Sequence, residues 1–540
     1  MLKHLALTIG LAVVAILPAA AGVHLLPGVP ADHAILAQPD PSLPTWSVPE
    51  GVLVVDRRAA ADGVPLGGVE FEPRFADGEW FLLERDHAHG HAEPADFGHV
   101  HLAGKELWLV EIPARGLDAF VVAGFDLQAI RRTPLTVAAP AVTAEPSPPS
   151  RVDPAAKSAY IDALDQGAYN LLLRQISGDQ PFLYDGDFQS TPTRFYRSEE
   201  NAIVAAYLAD MLTGYGYTVE LDAFTVYGNA CQNVVATIPG SVNPDEIVVV
   251  GAHFDSTSET AESLAPGAED NGSGTCLVME LARATAGRQF ERTVQFVLFD
   301  AEEVGLHGSQ HFVDEAVSEG RTIVAAITAD MVSYYDRNYG VTIEGQTSWE
   351  WLMTAMADNV ADHTDIAHDK TYHSWGSDHV PFQQAGIAAF LAIDQDWSSY
   401  PYYHRSNDSW DKIEDTVGLA LQITRAAAGT LADVAGLMDA TTSAPVPVSP
   451  TLSLSVHPNP FNPMTTLSFR LDAPASGKLT VHDLHGRVVR TLAVGDFAAG
   501  LHTEAWTGVD HQGRAMPSGV YVARLATDQG VTSRKLNLVR

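Results

Sequence analysis

Histidine and carboxylate side chains follow three apolar, strand-like segments in the middle of the sequence. They are His253 and Asp255 after the first segment, Glu302 and Glu303 after the second, and Asp330 after the third. In α/β sheets the sites lie beyond the carboxyl ends of the strands, so we expect these side chains to share one edge. Imidazole and carboxylate groups are ordinary zinc ligands, and a carboxylate that binds no metal can act as a general base. The spacing therefore predicts a metal site.

A polar, glycine-rich turn lies between the first two segments and opens a predicted helix. It reads Ala268-Glu-Asp-Asn-Gly-Ser-Gly274 and contributes Asp270. No strong serine-nucleophile motif is found, since Gly272-Ser273-Gly274 lacks the Gly-x-Ser-x-Gly spacing. The chain has only two cysteines, too few for a cysteine-rich zinc site, so any metal must use histidines and carboxylates.

Five blocks in this order resemble the co-catalytic di-zinc peptidase family that includes bacterial leucyl aminopeptidase, aminopeptidase Y and glutamate carboxypeptidase II. The blocks are Val250-Gly-Ala-His-Phe-Asp-Ser256, Ala268–Gly274, Phe299-Asp-Ala-Glu-Glu-Val-Gly-Leu306 with Gly308-Ser309, Ser377-Asp-His-Val-Pro-Phe382, and Tyr403-His404 with Asp408. The resemblance covers about residues 155–440. It implies a secreted exopeptidase, an aminopeptidase that removes N-terminal residues from peptides.

The resemblance also implies a role for each site residue. It assigns one zinc ion to His253 and Asp330, the other to Glu303 and His404, and both to a bridging Asp270. Asp255 would orient His253 by accepting its second ring proton, the usual pairing for a zinc histidine. Glu302 would be the general base that takes a proton from a water bridging the two zincs.

Two further expectations follow from the resemblance. Tyr372 or His373 would stabilise the oxyanion, and the peptide bond Asp270–Asn271 would be cis. Carboxypeptidases and glutaminyl cyclases share this scaffold, and cobalt or manganese also suits such a ligand set. A non-catalytic surface or adhesion protein is the alternative from another class, although the intact Glu302-Glu303 pair argues against it.

The elements that must position these residues alternate between helical and strand patterns. Helical periodicity covers about Ala155–Ile176 and Glu199–Leu212, and continuous apolar runs predict buried strands. They predict an α/β fold with a mixed, mostly parallel sheet and helices on both faces. Pro239-Gly240 and the apolar run from Ile247 suggest a hairpin between the first two strands.

Composition breaks divide the 540 residues into several regions. We expect a signal peptide at 1–21, a lead-in with a small mostly-β accessory or pro-domain at 22–137, and a proline-rich linker at 138–154. The peptidase-like domain at 155–440 is followed by a linker at 441–451 and a C-terminal domain at 452–540. Export would permit a disulfide between Cys231 and Cys276, which the sequence alone does not decide.

The C-terminal region has short alternating strands with regular turn signals, which predict a β-sandwich. Four short sequences in this region carry a resemblance to a known family: Pro458-Asn-Pro-Phe-Asn-Pro463, Asp483-Leu-His-Gly-Arg487, Ser518-Gly-Val-Tyr521 and Ser533-Arg-Lys-Leu536. They resemble the FlgD-like, immunoglobulin-like domains of exported bacterial proteins, some of which act as type IX secretion sorting signals. The resemblance implies sorting by secretion machinery or surface display; a plain spacer is the alternative.

The charge balance narrows the class of partner. With 67 acidic and 32 basic side chains the formal net charge is -35, which argues against nucleic acid and anionic membranes. After signal cleavage we expect no membrane span and an extracellular location, with peptides or proteins as substrates. A histidine cluster in the N-terminal domain could bind metal or lie in a solvated loop: His87, His89, His91, His99 and His101.

Overall fold

The structure is a computed structural model. It describes residues 152–438 apart from 186 and 373–375. It also describes 453–457, 459, 461–471, 475–482, 487–498, 500–527 and 530–540, and in the N-terminal part the backbone of eight strands. The predicted signal peptide, residues 138–151 of the first predicted linker, the second linker, His87, His89, His91 and His373 lie outside these residues. The last residues of the first predicted linker, Asp153 and Pro154, cap and begin a helix. For His99 and His101 only the backbone is described.

Nine α-helices occur in the described part of the chain. They are α1 Pro154–Ile161, α2 Gln166–Ile176, α3 Glu199–Gly214, α4 Gly274–Thr285, α5 His307–Ser318, α6 Glu350–His363, α7 His379–Gln384, α8 Trp410–Ile413 and α9 Gly418–Ala435. A turn at Ala268–Ser273, whose backbone is not helical at Asp270 and Asn271, leads directly into α4. The predicted first helix is thus two helices, and Asp165 begins the second by accepting hydrogen bonds from the main chain of Gly167 and Ala168.

The strands of the N-terminal part are β1 Gly22–Pro27, β2 Thr45–Val48, β3 Gly51–Asp56, β4 Val69–Phe71, β5 Gly78–Arg85, β6 His99–Ala103, β7 Leu107–Pro113 and β8 Phe125–Ala129. They form two four-stranded antiparallel sheets, with orders β2-β3-β1-β4 and β6-β7-β5-β8. The part of this region that the structure describes is β-strand, which agrees with the mostly-β prediction.

The middle region contributes ten strands. They are β9 Phe182–Tyr184, β10 Asp187–Gln189, β11 Thr218–Val226, β12 Asn229–Ile238, β13 Asn243–His253, β14 Arg292–Phe299, β15 Thr322–Ala329, β16 Gly340–Glu344, β17 Ala367–Thr371 and β18 Ala389–Asp394. The last eight form one sheet with the order β11-β12-β14-β13-β15-β18-β16-β17. Its centre is parallel and its β11–β12 edge is antiparallel, which confirms the mixed, mostly parallel sheet.

The predicted hairpin between β12 and β13 is wrong. β14 lies between these two strands, antiparallel to β12 and parallel to β13. The turn after Ile238 exists, but its main chain bonds to Phe290 and Glu291, just before β14. The short loop between β12 and β13 therefore did not make these two strands neighbours. The apolar strand β14 is inserted between them, because a buried strand is stabilised by packing on both sides.

Helices cover both faces of this sheet, as alternation along β13 shows. Val248 and Val250 belong to a core with α3, α4 and α9, whereas Val249 packs in a second core with Phe312 of α5 and Phe382 of α7. Successive side chains of a strand point to opposite faces, so a fully buried strand needs two cores. This arrangement places the carboxyl ends of the parallel strands β13, β14 and β15 at one edge.

Gly308, in the first turn of α5, packs against the turn that follows β14. A Cβ there would overlap the main-chain oxygen of Asp300 and lie 2.5 Å from Asn233 Oδ1. We expect Gly308→Ala to lower the free energy of unfolding by about 1–3 kcal/mol, the range for overpacking a core. The measurement is the midpoint of urea denaturation.

Gly214→Ala is the matched control, because a Cβ at that helix end meets nothing within 4 Å. This variant should be as stable as the natural protein or slightly more so, since alanine reduces the conformational freedom of the unfolded chain. Equal midpoints for the two variants would contradict the packing argument.

The C-terminal region is a two-layer β structure. Its strands are β19 Ser453–His457, β20 Thr465–Leu471, β21 Ala475–His482, β22 Val488–Phe497, β23 Gly500–Trp506, β24 Gly519–Thr527 and β25 Gly530–Leu538. They form sheets of order β19-β20-β23 and β22-β21-β24-β25. Leu467 and Phe469 from one sheet share a core with Leu479 and Leu525 from the other, so the predicted sandwich is confirmed.

The two cysteines are buried and free, so the suggested disulfide is not formed. Cys231 lies on β12 with its sulfur facing the main-chain oxygens of Tyr196 and Asn229, while Cys276 lies in the first turns of α4. Pairing needs Cβ atoms about 4 Å apart and directed at each other, and the fold places the two thiols in different surroundings.

None of the described helices combines the length and the apolar character needed to cross a membrane.

Candidate metal centre

The sheet edge brings together the five predicted metal ligands in two sets that share Asp270. His253 Nε2 lies 3.4 Å from Asp330 Oδ1 and 3.6 Å from Asp270 Oδ1. His404 Nε2 lies 3.3 Å from Asp270 Oδ2 and 3.0 Å from Glu303 Oε2. The two oxygens of Asp270 thus face different ligand pairs.

These spacings suit zinc. Ligand atoms 2.0–2.1 Å from a tetrahedral zinc ion lie about 3.3 Å from each other. Several of the atoms are also buried without a hydrogen-bond partner in the described residues, among them His253 Nε2, Asp270 Oδ2, Glu303 Oε1 and Asp330 Oδ1. Buried polar atoms normally have partners, so a convergent set of orphaned ones fits a cation. The residues therefore fit the zinc that the resemblance implies.

Glu302 lies beside the first ligand set. One of its oxygens is within 4.8 Å of candidate ligand atoms of His253 and Asp330, and its Oε2 is 3.9 Å from His253 Nε2. It is farther from the histidine than either Asp330 or Asp270 is. This position suits a carboxylate that acts on a group held at the centre without binding the metal itself.

Asp255 contacts both His253 and the turn that carries Glu302 and Glu303. Its main-chain oxygen is 3.2 Å from His253 Nδ1, and its Oδ1 is 3.5 Å from the same nitrogen. Its carboxylate accepts hydrogen bonds from the main-chain N–H groups of Glu302 (3.0 Å) and Glu303 (3.3 Å). Asp255 is thus placed to orient the histidine, chiefly through its carbonyl, and it also holds the Glu302-Glu303 turn.

Neighbouring side chains hold the remaining carboxylates. Ser377 donates to Asp330 Oδ2 at 2.8 Å. Asn271 donates a hydrogen bond to the carbonyl of Ala329 and accepts one from the N–H of Met331, so it bonds the residues on both sides of Asp330. The peptide bond before Asn271 is cis, as the resemblance implied.

Asp408 links the bridging carboxylate to the loop that carries His404. Its Oδ2 accepts a hydrogen bond from the N–H of Asp270 at 3.0 Å, and Tyr400 donates to its Oδ1 at 2.6 Å. Its own carbonyl accepts from the N–H of Ala268. The geometry between the two ligand sets is therefore set by hydrogen bonds between main chain and side chains.

Three residues other than glycine have left-handed backbone at the centre. Ala301 precedes Glu302 with φ 57°, Met331 follows Asp330 with φ 45°, and the ligand His404 itself has φ 52°. This region costs most L-residues energy and is retained mainly where the surroundings demand it. The backbone is thus bent at three points where a side chain is aimed into the site.

Burial and mutual repulsion govern protonation here. Burial, with Asp378 and Asp330 adding to it, raises the pKa of Glu302 well above its ordinary value, although His253 opposes the rise. Burial and Asp270 raise the pKa of Glu303 to about 8. Burial lowers the pKa of His253, but the nearby Glu302 and Asp330 outweigh it and leave that pKa well above the usual range. So many buried carboxylates can ionise together only beside strong positive charge.

The structure does not test the oxyanion role predicted for Tyr372 or His373. The hydroxyl of Tyr372 donates to Glu350 Oε2 at 2.8 Å, and the tyrosine is 47% exposed. His373 lies outside the described residues. The oxyanion assignment of either residue stays a prediction.

Sequence reasoning missed the contacts of Asn271 and Asp408 and those of Arg194, whose side chain donates to the carbonyls of Phe254 and Gly267. Asn271 and Asp408 had a signal, because both belong to the blocks quoted above. Arg194 stands in an ordinary stretch, Thr191-Pro-Thr-Arg-Phe195, and had none.

A FlgD Ig-like domain is found at residues 459–530. Residues 233–428 match peptidase family M28, whose aminopeptidases are zinc-dependent. The chain is 33% identical over 205 residues to Aminopeptidase YwaD of Bacillus subtilis, covering 36% of this chain and 43% of that protein. It therefore spans less than half the length of that relative.

Two further comparisons cover more of their counterparts. Leucine aminopeptidase 1 of Paracoccidioides brasiliensis is 32% identical over 269 residues, which are 45% of this chain and 67% of that protein. The crystal structure of the Legionella pneumophila LapA aminopeptidase superposes with a TM-score of 0.53 at 18% identity, covering 67% of this chain and 99% of that one, and shows the shared fold. The ordered motifs, the fold and these matches agree, and the chain belongs to peptidase family M28.

Proposed function

We propose that this chain is an aminopeptidase that uses two zinc ions to hydrolyse N-terminal peptide bonds. The observation that carries the proposal is the bridging position of Asp270, whose two oxygens face His253 with Asp330 and His404 with Glu303 respectively. One ion would need only one such set, whereas this chain supplies two sets joined by a carboxylate.

When bound, the two zinc ions would lower the pKa of a shared water and polarise the scissile carbonyl. Glu302 would accept the proton of that water and deliver it to the amine of the departing peptide. The N–H···Oδ1 bond from Glu302 to Asp255 keeps the turn that carries the base in place.

The charge of the region favours a substrate amine over a substrate carboxylate. Residues 152–438 contain 42 acidic and 13 basic side chains, a formal net charge of -29. A strongly negative surface attracts a cationic N-terminus and repels the free carboxylate that a carboxypeptidase must bind. The names of the relatives, a leucine aminopeptidase and an aminopeptidase, support the same direction.

The test uses the purified full-length chain and three substrates. We expect leucine p-nitroanilide to be hydrolysed and N-acetyl-leucine p-nitroanilide to be resistant, because the acetyl group removes the cationic amine. A hippuryl amino acid, which offers a free carboxylate, should also resist. Activity should disappear with a chelator, return with zinc, and accompany about two zinc ions per chain by atomic spectroscopy.

Other outcomes identify the alternatives. Hydrolysis of the hippuryl substrate would show a carboxypeptidase. One zinc per chain with cyclisation of an N-terminal glutaminyl peptide would show a glutaminyl cyclase. Failure to bind zinc and to act on any of these substrates would favour a non-catalytic surface protein.

Export stays a prediction of the sequence, as do the domain boundaries and sorting through the C-terminal domain. We propose that residues 1–21 direct secretion and that the FlgD Ig-like domain engages secretion or display machinery. N-terminal sequencing of protein recovered from culture medium tests the first proposal, with Gly22 as the expected first residue.

A further inference from the structure

A fully buried arginine lies beneath the candidate metal centre. Arg194 is 0% exposed, and its side-chain hydrogen bonds go to neutral main-chain carbonyls. It forms no ion pair with a carboxylate among the described residues. Burying a guanidinium without a carboxylate partner is costly, so its position calls for a reason beyond packing.

The four carbonyls belong to three separate segments. Nε donates to Phe254 (2.6 Å), Nη2 donates to Gly267 (2.8 Å), and Nη1 donates to Pro266 and to Ile176 at the end of α2 (2.9 Å). The main chain of Arg194 also bonds Ser256 in both directions. Only a planar fork with several fixed N–H groups can satisfy acceptors spread over three segments at once.

Two of these segments carry ligands of different parts of the centre. Phe254 lies between His253 and Asp255, and Gly267 is the left-handed residue that begins the turn carrying Asp270. The guanidinium therefore connects the end of β13 to the start of the turn Ala268–Ser273. A Cβ on Gly267 would meet Ser256 Cβ at 2.6 Å and Arg194 Nη2 at 2.9 Å, so the junction has no spare room.

We infer that Arg194 is a positioning residue that holds His253 and Asp270 at the separation the metal centre requires. The inference rests on the proposed two-zinc function. The side chain of Arg194 bonds main-chain carbonyls and not the ligand atoms themselves, so we expect it to act on metal affinity and turnover and to leave substrate binding unchanged.

The chain supplies a control in Arg292, which is 1% exposed and also donates to a carbonyl, that of Val434. Unlike Arg194, it also forms an ion pair, with Glu246 at 2.6 Å. Arg292 begins β14, and the site lies beyond the other end of that strand, roughly 23 Å away at about 3.3 Å per residue. Any general cost of altering a buried arginine should appear at Arg292 as well, where the ion pair with Glu246 is also lost.

The experiment compares full-length Arg194→Lys and Arg194→Gln with Arg292→Lys and Arg292→Gln. Zinc affinity is measured by competition with a chromogenic chelator, and kcat and KM are measured with leucine p-nitroanilide at saturating zinc. We expect the Arg194 variants to lose 10- to 100-fold in zinc affinity, the range for groups that orient metal ligands. Their kcat should fall while KM stays within about threefold.

The substitution Arg194→Lys distinguishes the role of the planar guanidinium from the role of its positive charge. Lysine keeps the positive charge but cannot span the three segments, so a positioning role predicts weakened zinc binding in Arg194→Lys as well. Wild-type affinity and kcat in Arg194→Lys, or an equal loss in the Arg292 variants, would overturn the inference. If Arg194→Gln fails to fold, Arg194→Lys decides it by the same criterion.

The wild-type chain measured alongside keeps the two proposals apart. Absence of zinc from the wild type would refute the proposed function itself. Two tightly bound zinc ions in the wild type, with unchanged affinity in the Arg194 variants, would refute only the positioning role.

Discussion

Asp270→Ala should abolish zinc binding at both ligand sets, because one carboxylate serves both. Each set would keep a single histidine and a single carboxylate, two ligands where a structural or catalytic zinc site has at least three. We expect zinc affinity to fall by more than about 100-fold, since groups that only orient ligands are already worth 10- to 100-fold. Atomic spectroscopy after dialysis against a weak chelator measures the loss.

Thermal unfolding gives an independent readout for the same variant. Zinc that binds only the folded state stabilises the wild type by about 4 kcal/mol at a thousandfold excess over Kd, and Asp270→Ala should lack this gain. Without zinc the variant should unfold no earlier than the wild type, because removing one buried carboxylate relieves repulsion with Glu303. Asp369→Ala, at an exposed acidic residue on β17, is the control and should keep the full zinc-dependent gain. Two zinc ions in Asp270→Ala would rule out the bridging role.

Glu302→Gln should lose turnover while it keeps its metal. Glutamine has the same shape but cannot take a proton, and loss of a general base typically lowers the rate by about 10²- to 10⁴-fold. Zinc content and the zinc-dependent rise in melting temperature should match the wild type, since Glu302 lies outside the closest ligand pairs. kcat for leucine p-nitroanilide is the measured quantity.

The adjacent residue provides the contrast. Glu303 Oε2 is 3.0 Å from His404 Nε2, so Glu303→Gln should weaken zinc binding as well as turnover. Two neighbouring glutamates on one turn would then separate the functions of proton transfer and metal binding. If Glu302→Gln lost zinc, or kept kcat within tenfold of the wild type, Glu302 would not be the base.

The sequence alone determined the fold class and the candidate ligands. Apolar runs followed by His253, Glu303 and Asp330 are local patterns, because a buried strand and the residue at its end are adjacent in the chain. The helix from Glu199 and the C-terminal sandwich were predictable for the same reason, since periodicity and turn residues are written within a few positions.

Only the tertiary structure decided which segments meet. The insertion of β14 between β12 and β13 depends on burial on both faces of the sheet, and no short-range pattern reports it. The separation of Cys231 from Cys276 and the bond from Tyr372 to Glu350 are likewise set by packing between distant segments.

Arg194 is the clearest example of a residue whose contacts cannot be predicted from local sequence. Its partners lie 18 to 73 residues away along the chain, and nothing in its neighbours predicts that a charged side chain is buried there. A lone arginine is ordinarily a surface residue, so its contribution exists only once three segments converge on it. The types of the chemical groups at the centre were thus readable from the sequence, whereas the support that sets their separation came from long-range packing and hydrogen bonding.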